Sequence, residues 1–239
     1  MSVFASLVER LADLLHPLFG ASAAAAAIVL FTALVRLLVH PLSRAAARGQ
    51  KARAALQPKI AELRRRHGGN PEKLQRAVLD LHAREKVSPL SGCLPSLFQL
   101  PAFFLLYHLF SSGTIGGRDN ELLGHELFAA PLGGRWTDAL GAGGPFGGPG
   151  LVYAGLFALV AVVAAFGYRL TKRSMAANAA AAGGGSGEQQ VPGMAAMTRA
   201  LPFMSFLTLV TVAVVPLAAA LYVVTSTTWS VVERAVLYR

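Results

Sequence analysis

The sequence has few charged residues and a single cysteine. Cys93 alone excludes an intramolecular disulfide framework and any metal site built from several cysteines. Charged residues make up 14% of the 239-residue chain, whereas 54% of the residues are hydrophobic and the mean hydropathy is +0.51. A soluble domain usually contains about 25% charged residues. This balance predicts a membrane protein, because the apolar residues are also collected in long runs.

The sequence also lacks the motifs of the common enzyme classes. It contains no nucleophile elbow, HExxH zinc motif, phosphate-binding loop or paired carboxylates. His40, His108 and Cys93 stand apart from one another, and each is expected to be structural. We therefore predict a protein that is not an enzyme, with no catalytic residue, no metal and no cofactor.

The apolar runs predict five transmembrane helices. A span needs about 20 apolar residues. The last run, Leu201–Val232, is uncharged and would reach about 48 Å as one helix, so Pro216 is expected to divide it into two short spans that could thin the bilayer locally. The expected spans are residues 21–41, 93–112, 150–168, 201–215 and 217–233.

Basic residues predict the orientation of these spans. Segment 42–92 holds twelve Lys/Arg and four Asp/Glu, whereas segment 113–149 holds two Lys/Arg and four acids. Because basic segments stay in the cytoplasm, we expect the N-terminus outside and the C-terminus inside. Segment 113–149 is then an extracytoplasmic Gly-rich loop, 169–200 a flexible cytoplasmic loop rich in Ala, Gly and Ser, and 234–239 a cytoplasmic tail.

The first 20 residues are predicted to form an amphipathic helix on the outer surface. Apolar residues recur at helical spacing, with polar residues on the other side. The apolar positions are Phe4, Leu7, Val8, Leu11, Leu14, Leu15 and Leu18. The same pattern fits a short helix that packs on the protein itself, and both interpretations stay open.

Segment 42–92 is predicted to form a cytoplasmic antiparallel hairpin of two helices. The first is expected over 43–67 and the second from Pro71 to about Val87, with Asn70 as its N-cap. Each carries a narrow apolar stripe, and basic residues cover the rest. The basic residues expected to make contacts are Arg44, Arg48, Lys51, Arg53, Arg64, Arg65 and Arg66. Their partners could be anionic headgroups, a nascent chain or ribosomal RNA. Sequence-specific nucleic-acid binding is not expected, because no recognition motif is present.

An ordered set of motifs resembles the YidC/Oxa family of membrane protein insertases. The set runs along most of the chain and leaves out segments 111–150 and 174–198. The matching residues are Arg36 and Pro41-Leu42, Gln57-Pro58, Asn70-Pro71-Glu72-Lys73, Pro89 to Pro95, Gln99-x-Pro101, Phe103-Phe104-x-x-Tyr107, Pro216, Leu221-Tyr222, Thr225-Ser226 and Trp229-Ser230. No large domain separates the first two spans, which is similar to the short form found in single-membrane bacteria.

The resemblance implies an all-α membrane protein that inserts and helps to fold nascent membrane proteins. It implies a hydrophilic intramembrane groove, open to the cytoplasm and to lipid. The implied partners are nascent membrane proteins and the bilayer, with the Sec translocon and the ribosome as open possibilities. A membrane-protein assembly factor and a small solute transporter are the alternative functions.

Arg36 is the charged residue expected at the centre of the groove. It lies about 8 Å inside its span, and its side chain leans toward the bilayer interior because helical side chains tilt toward the N-terminus. Such a cation costs roughly 2.5–3.5 kcal/mol and should face a wet cavity or a partner. Only uncharged companions are expected. The predicted groove residues are Arg36, Thr32, Ser96, Gln99, Thr208, Thr225, Ser226 and Trp229. For each hydroxyl, a bond to its own helix is the alternative.

Overall fold

A computed structural model describes residues 2–87, 104, 107–115, 117–181 and 201–237, and these are mostly helical. The labelled helices are α1 (Ser2–Phe19), α2 (Ala23–Ala55), α3 (Gln57–His67), α4 (Pro71–Arg84), α5 (Trp136–Gly141), α6 (Gly148–Ala181), α7 (Leu207–Val214) and α8 (Leu217–Leu237). Residues 107–111 are also helical, and three 3-10 turns cover Gly20–Ser22, Glu121–Gly124 and Leu201–Phe206. Two small antiparallel pairs join β1 (Thr114–Ile115) to β2 (Arg118–Asp119) and β3 (Glu126–Leu127) to β4 (Ala130–Pro131).

Helix α8 is the central element of the bundle. Every residue from Leu217 to Val224 is buried, and the helix contacts α2, α6 and α7. The apolar, Ala-rich sequence of this half allows close helix packing on all sides. The chain breaks at Pro216, between α7 and α8, because proline cannot donate the backbone hydrogen bond that a continuous helix needs.

Large apolar side chains cover much of the outer surface of the bundle. On α2, Leu34, Leu37 and Leu38 are exposed, while Ala27 and Ile28 on the same helix are buried. Helices α6 and α7 expose further apolar residues: Leu159, Val162, Phe166, Val210 and Val214. Two helical segments, Ser6–Ala55 and Gly148–Ala177, are long and apolar enough to cross a membrane, and Leu201–Val214 is a shorter apolar segment. An apolar exterior of this extent is typical of a lipid-facing surface.

Helix α1 packs on α2 through one face and exposes the other. Val8 and Ala12 are buried in the core, whereas Leu7, Leu14 and Leu18 are exposed. The chain turns between the two helices at Gly20, whose φ of +53° is accessible to glycine at little cost. Packing on the protein and an exposed apolar face therefore coexist in this helix.

The helix boundaries after residue 41 differ from those expected. The first hairpin helix was expected over 43–67, but α2 continues through Pro41 to Ala55, and α3 begins only at Gln57. The break falls at Leu56, one residue before the Gln57-Pro58 pair, because proline favours the first turn of a new helix. Helix α4 begins as predicted: the Asn70 side chain accepts a hydrogen bond of 3.0 Å from the Lys73 N–H, and Pro71 follows the cap. It ends at Arg84, before the predicted Val87.

Helices α3 and α4 pack against each other. Leu56 and Ile60 are buried, and Lys59 on α3 donates to the carboxylate of Glu85, just beyond the end of α4. This contact between the start of one helix and the end of the next means that the two helices run in opposite directions. The α3 helix also touches α6.

Segment 113–149 is folded, although it was expected to be a loop. Both strand pairs, the 3-10 turn Glu121–Gly124 and α5 lie in it, and Leu122, Leu132 and Ala139 are buried. The buried Asn120 amide donates to the carbonyls of Leu109 and Ser112, at 2.9 and 3.0 Å. These contacts order a Gly-rich sequence, because buried apolar side chains and satisfied backbone groups outweigh its conformational freedom.

This folded segment also closes the start of α8. The N–H groups of Leu217 and Ala218 donate to the carbonyls of Gly134 and Leu132, each at 2.9 Å, and the Tyr153 hydroxyl also donates to the Gly134 carbonyl. The first N–H groups of a helix have no partner within that helix, so a buried helix start needs such acceptors. The segment therefore holds the N-terminal end of α8 in place.

Two further expectations differ from the structure. Helix α6 extends to Ala181, so the flexible loop expected over 169–200 is helical in its first part, since alanine is the strongest helix former. Helix α8 has 21 residues and is about 32 Å long, so it continues past residue 233, where the fifth span was expected to end. Most of the expected second span, including Ser96 and Gln99, lies outside the described residues, as do Cys93 and residues 182–200.

Candidate functional site

The candidate site is a polar seam between α2 and α8. Arg36 on α2 contacts Ser226 on α8, and His40, one turn further along α2, contacts Glu233, two turns further along α8. Because both contacts advance in the same direction along the two helices, α2 and α8 are parallel. Both residue pairs bridge helices that are about 190 residues apart in the sequence.

Arg36 is half-buried and turned toward α8. Its Nε donates to the Ser226 Oγ at 3.1 Å, and a terminal nitrogen of the same guanidinium donates to the same oxygen. Ser226 itself is 7% exposed, and Ser230 donates back to its carbonyl at 2.9 Å. Arg36 therefore contacts an uncharged acceptor inside the bundle. Its remaining N–H groups could bind an acidic ligand, because a guanidinium carries five donors.

His40 and Glu233 make a side-chain contact that sequence reasoning missed. Nδ1 of His40 lies 2.5 Å from Oε1 of Glu233, whose side chain is only 10% exposed. Arg36 was expected to have only uncharged companions, and His40 was expected to be isolated. The first expectation agrees with the hydrogen bonds of Arg36, which go to the uncharged Ser226, whereas the second is wrong, because His40 contacts Glu233 at the end of the expected fifth span. The i, i+4 spacing of Arg36 and His40 was the signal available in the sequence.

The other predicted groove residues are not all brought to Arg36. Thr32 is 1% exposed, and its hydroxyl donates to the Ile28 carbonyl at 2.7 Å. The hydroxyl therefore bonds to its own helix, which was the alternative to a role in lining the groove. Thr208 lies at a different interface, where it lines a cavity of about 10 Å³ with Ser205 and Thr227. Thr225 and Trp229 are half-buried on α8, on a face beside that of Ser226.

Helix α8 also carries a buried hydroxyl, that of Thr228, on the side turned about 200° away from Ser226. Among the described residues, the Oγ1 of Thr228 is buried without a hydrogen-bond partner. An unsatisfied buried hydroxyl is costly, so such a group usually has a bound water or ligand as its partner. It adds to the polar character of this half of α8, which begins where the fully buried apolar half ends.

The predicted basic contact surface lies on the end of α2 and on α3. Arg44, Arg48, Lys51, Arg64, Arg65 and Arg66 are exposed, and Arg53 is half-buried. Within this group, Arg66 pairs with Glu62 on the same helix at 2.5 Å. An exposed pair of this kind contributes little to stability, so the surface as a whole stays strongly positive.

Comparison with known proteins identifies the family. The sequence model of the 60Kd inner membrane protein family matches residues 14–239, nearly the whole chain. The chain belongs to this family, the YidC/Oxa family. The match, the helical fold and the apolar spans together make it an all-α membrane protein.

Similar YidC/Oxa members match part of the chain. A protein of Clostridium perfringens named membrane protein insertase YidC is 42% identical over 87 residues, which are 36% of this chain and 37% of the relative. Proteins of the same name from Anaeromyxobacter and Magnetococcus marinus are 40% and 46% identical over 101 and 81 residues. Those matches cover 42% and 34% of this chain but 18% and 15% of the relatives. The matched segments thus span well under half of these curated proteins.

Proposed function

We propose that this protein is a membrane protein insertase and chaperone, which inserts nascent membrane proteins through a hydrophilic groove beside α2 and α8. Relatives named as insertases support the general activity. The observation that carries the site is Arg36, an intramembrane cation turned into the bundle and bonded to a neutral serine. A charged residue within a span is a functional candidate by default.

The proposed topology has five spans with the N-terminus outside. The spans are α2, the segment around residues 93–112, α6, residues 201–214 and α8, and the α3–α4 hairpin is cytoplasmic. The parallel course of α2 and α8 supports this arrangement, because the first and last of five spans cross the membrane in the same direction. With four spans they would run in opposite directions.

The proposed mechanism uses charge attraction followed by apolar burial. An acidic residue in the polar tail of a substrate approaches Arg36, whose attraction is strong because little water screens it there. This lowers the cost of moving the tail into the membrane. The substrate's apolar helix then moves sideways into lipid, driven by about 25 cal/mol per Å² of apolar surface removed from water. The short segment 201–214, with six 3-10 and eight α-helical residues, reaches about 24 Å and could thin the bilayer.

The basic surface of α2 and α3 is proposed to hold the cytoplasmic side at the headgroups and to meet the incoming chain. Arg44, Arg48 and Lys51 are exposed on the part of α2 that follows its apolar residues. At a membrane surface, the attraction of anionic lipids stabilises each such basic residue by about 1 kcal/mol. The ribosome and the Sec translocon stay open as further partners.

Substitution of Arg36 tests the charge step. In a strain depleted of its own insertase, Arg36→Ala should lower the insertion of a single-span substrate with an acidic tail, and Arg36→Lys should retain part of it. The measurement is protease protection of the translocated tail. Arg173→Ala, which removes an exposed arginine of α6, is the matched control. Full insertion by Arg36→Ala would contradict the charge-attraction step.

Photocrosslinking distinguishes an insertase from an assembly factor. A photoreactive residue at position 36 should crosslink to stalled nascent chains of several different membrane proteins. Adducts with one fixed partner alone would support an assembly factor instead. Adducts with neither kind of protein, in membranes where the variant is present at normal abundance, would contradict both functions.

A further inference from the structure

The proposed mechanism, in which Arg36 attracts an acidic substrate tail, gives no role to the Glu233 carboxylate in the same seam. Glu233 is the one acidic residue of α8, and its side chain is only 10% exposed. A buried carboxylate beside a site meant for acidic substrate tails should compete with them for the same cation. Its position therefore needs a physical reason.

The geometry shows which group holds this carboxylate. His40 Nδ1 contacts Glu233 Oε1 at 2.5 Å, whereas the guanidinium of Arg36 is hydrogen-bonded to Ser226. Arg36 and His40 are one turn apart on the same face of α2, and Ser226 and Glu233 are two turns apart on the same face of α8. His40 thus holds the Glu233 carboxylate, a contact that Arg36 could otherwise make.

We propose that His40 and Glu233 are specificity-determining residues of the groove, in which His40 holds the Glu233 carboxylate away from Arg36 so that Arg36 can receive an acidic side chain of the substrate. This proposal rests on the proposed insertase function. In this proposal, Glu233 competes with the substrate for Arg36, and His40 restrains Glu233.

The two residues then have opposite effects when they are changed singly. Without His40, the Glu233 carboxylate loses its hydrogen-bond partner, which is costly, and Arg36, one turn before His40 on the same face of α2, can take the place of that partner. Arg36 would become neutralised and would attract acidic tails less. Without the charge of Glu233, nothing competes with the substrate, and the attraction of Arg36 is undiminished or greater.

A double-mutant cycle with two substrates tests this order. Single-span substrates that differ only in an acidic or a neutral tail are inserted in the depletion strain by His40→Leu, Glu233→Gln and the double variant. We expect His40→Leu to lower insertion of the acidic-tail substrate by roughly tenfold. Glu233→Gln should not lower it, and the double variant should return to the level of Glu233→Gln. Insertion of the neutral-tail substrate should stay within about twofold throughout.

The controls are His16→Leu and Asp13→Asn, which make the same chemical changes at exposed positions of α1. Immunoblots of the membrane fraction report the abundance of each variant, and insertion is compared per molecule. Two results would overturn the proposal: a double variant as defective as His40→Leu, or a Glu233→Gln variant as defective as Arg36→Ala. The latter would mean that Glu233 serves to position Arg36. If neither substrate depended on the protein at all, the insertase function itself would fail, which is a separate outcome.

Discussion

At the residue scale, the charged guanidinium of Arg36 donates its hydrogen bonds to a neutral acceptor, the hydroxyl of Ser226. A carboxylate in the place of Ser226 would have formed a buried ion pair, and a substrate's acid would then gain little by approaching. A hydroxyl positions the guanidinium without cancelling its charge, because it satisfies only part of its donors. Ser226 is therefore expected to position Arg36.

Replacement of Ser226 tests this positioning role. Ser226→Ala removes the acceptor, so we expect insertion of an acidic-tail substrate to fall, but by less than with Arg36→Ala, because the charge remains. Ser226→Thr keeps a hydroxyl at the same position and should restore most of the activity. Protease protection of the substrate tail measures both. An alanine variant and a threonine variant that are equally impaired would show that the size of the side chain matters, and not its hydroxyl.

At the scale of elements, short capping and breaking signals decide where each helix begins and ends. Pro216 separates α7 from α8, and Gln57-Pro58 begins α3. Pro41 has no such effect: it lies inside α2, where the one backbone hydrogen bond that proline removes does not end the helix. The same residue type therefore ends one helix and is tolerated in another.

The Asn70 cap provides a measurable case. Asn70→Ala removes the acceptor for the Lys73 N–H and should destabilise the start of α4 by about 1 kcal/mol. Hydrogen exchange at the amides of the first turn of α4 should then become faster. Asn70→Asp keeps an acceptor and should preserve protection. Gly69→Ala is the control, because an added Cβ there meets no atom within 4 Å. Unchanged exchange in Asn70→Ala would show that α3 packing alone holds this end.

At the scale of the whole molecule, two differently built ends enclose the apolar bundle. One end is the folded segment 113–149, which supplies acceptors to α8, and the other is the basic surface of α2 and α3. Between them, leucine, valine and phenylalanine side chains on α2, α6 and α7 face outward. This distribution is typical of a protein that crosses a bilayer, and the proposed topology places its basic end in the cytoplasm.

Site-directed labelling tests this orientation. Single cysteines are introduced in a Cys93→Ser background, one in place of Phe146 and one in place of Gly69. Both positions are exposed, the first in segment 113–149 and the second between α3 and α4. A membrane-impermeant maleimide added to intact spheroplasts should label the cysteine at 146 and not that at 69, and inverted vesicles should give the reverse. Labelling of both from one side would contradict a membrane span between positions 69 and 146.

Features that depend on neighbouring residues could be predicted from the sequence. The apolar runs, the Asn70 cap, the break at Pro216 and the cation at Arg36 all follow from local composition and backbone chemistry. The ends of α2 and α6 could not be predicted as well, because a long helix continues wherever packing and alanine propensity outweigh a local break. The order of segment 113–149 likewise came from buried contacts made by scattered residues such as Leu122 and Leu132.

By itself, then, the sequence determined that the chain is a helical membrane protein with one cation inside its first span and a basic surface beyond it. Only the tertiary structure decided which residues meet that cation. Arg36 and Ser226 are 190 residues apart, and His40 and Glu233 are 193 residues apart. Their pairing depends on the axial register of α2 and α8, which packing along both helices sets and which no local pattern in either helix encodes.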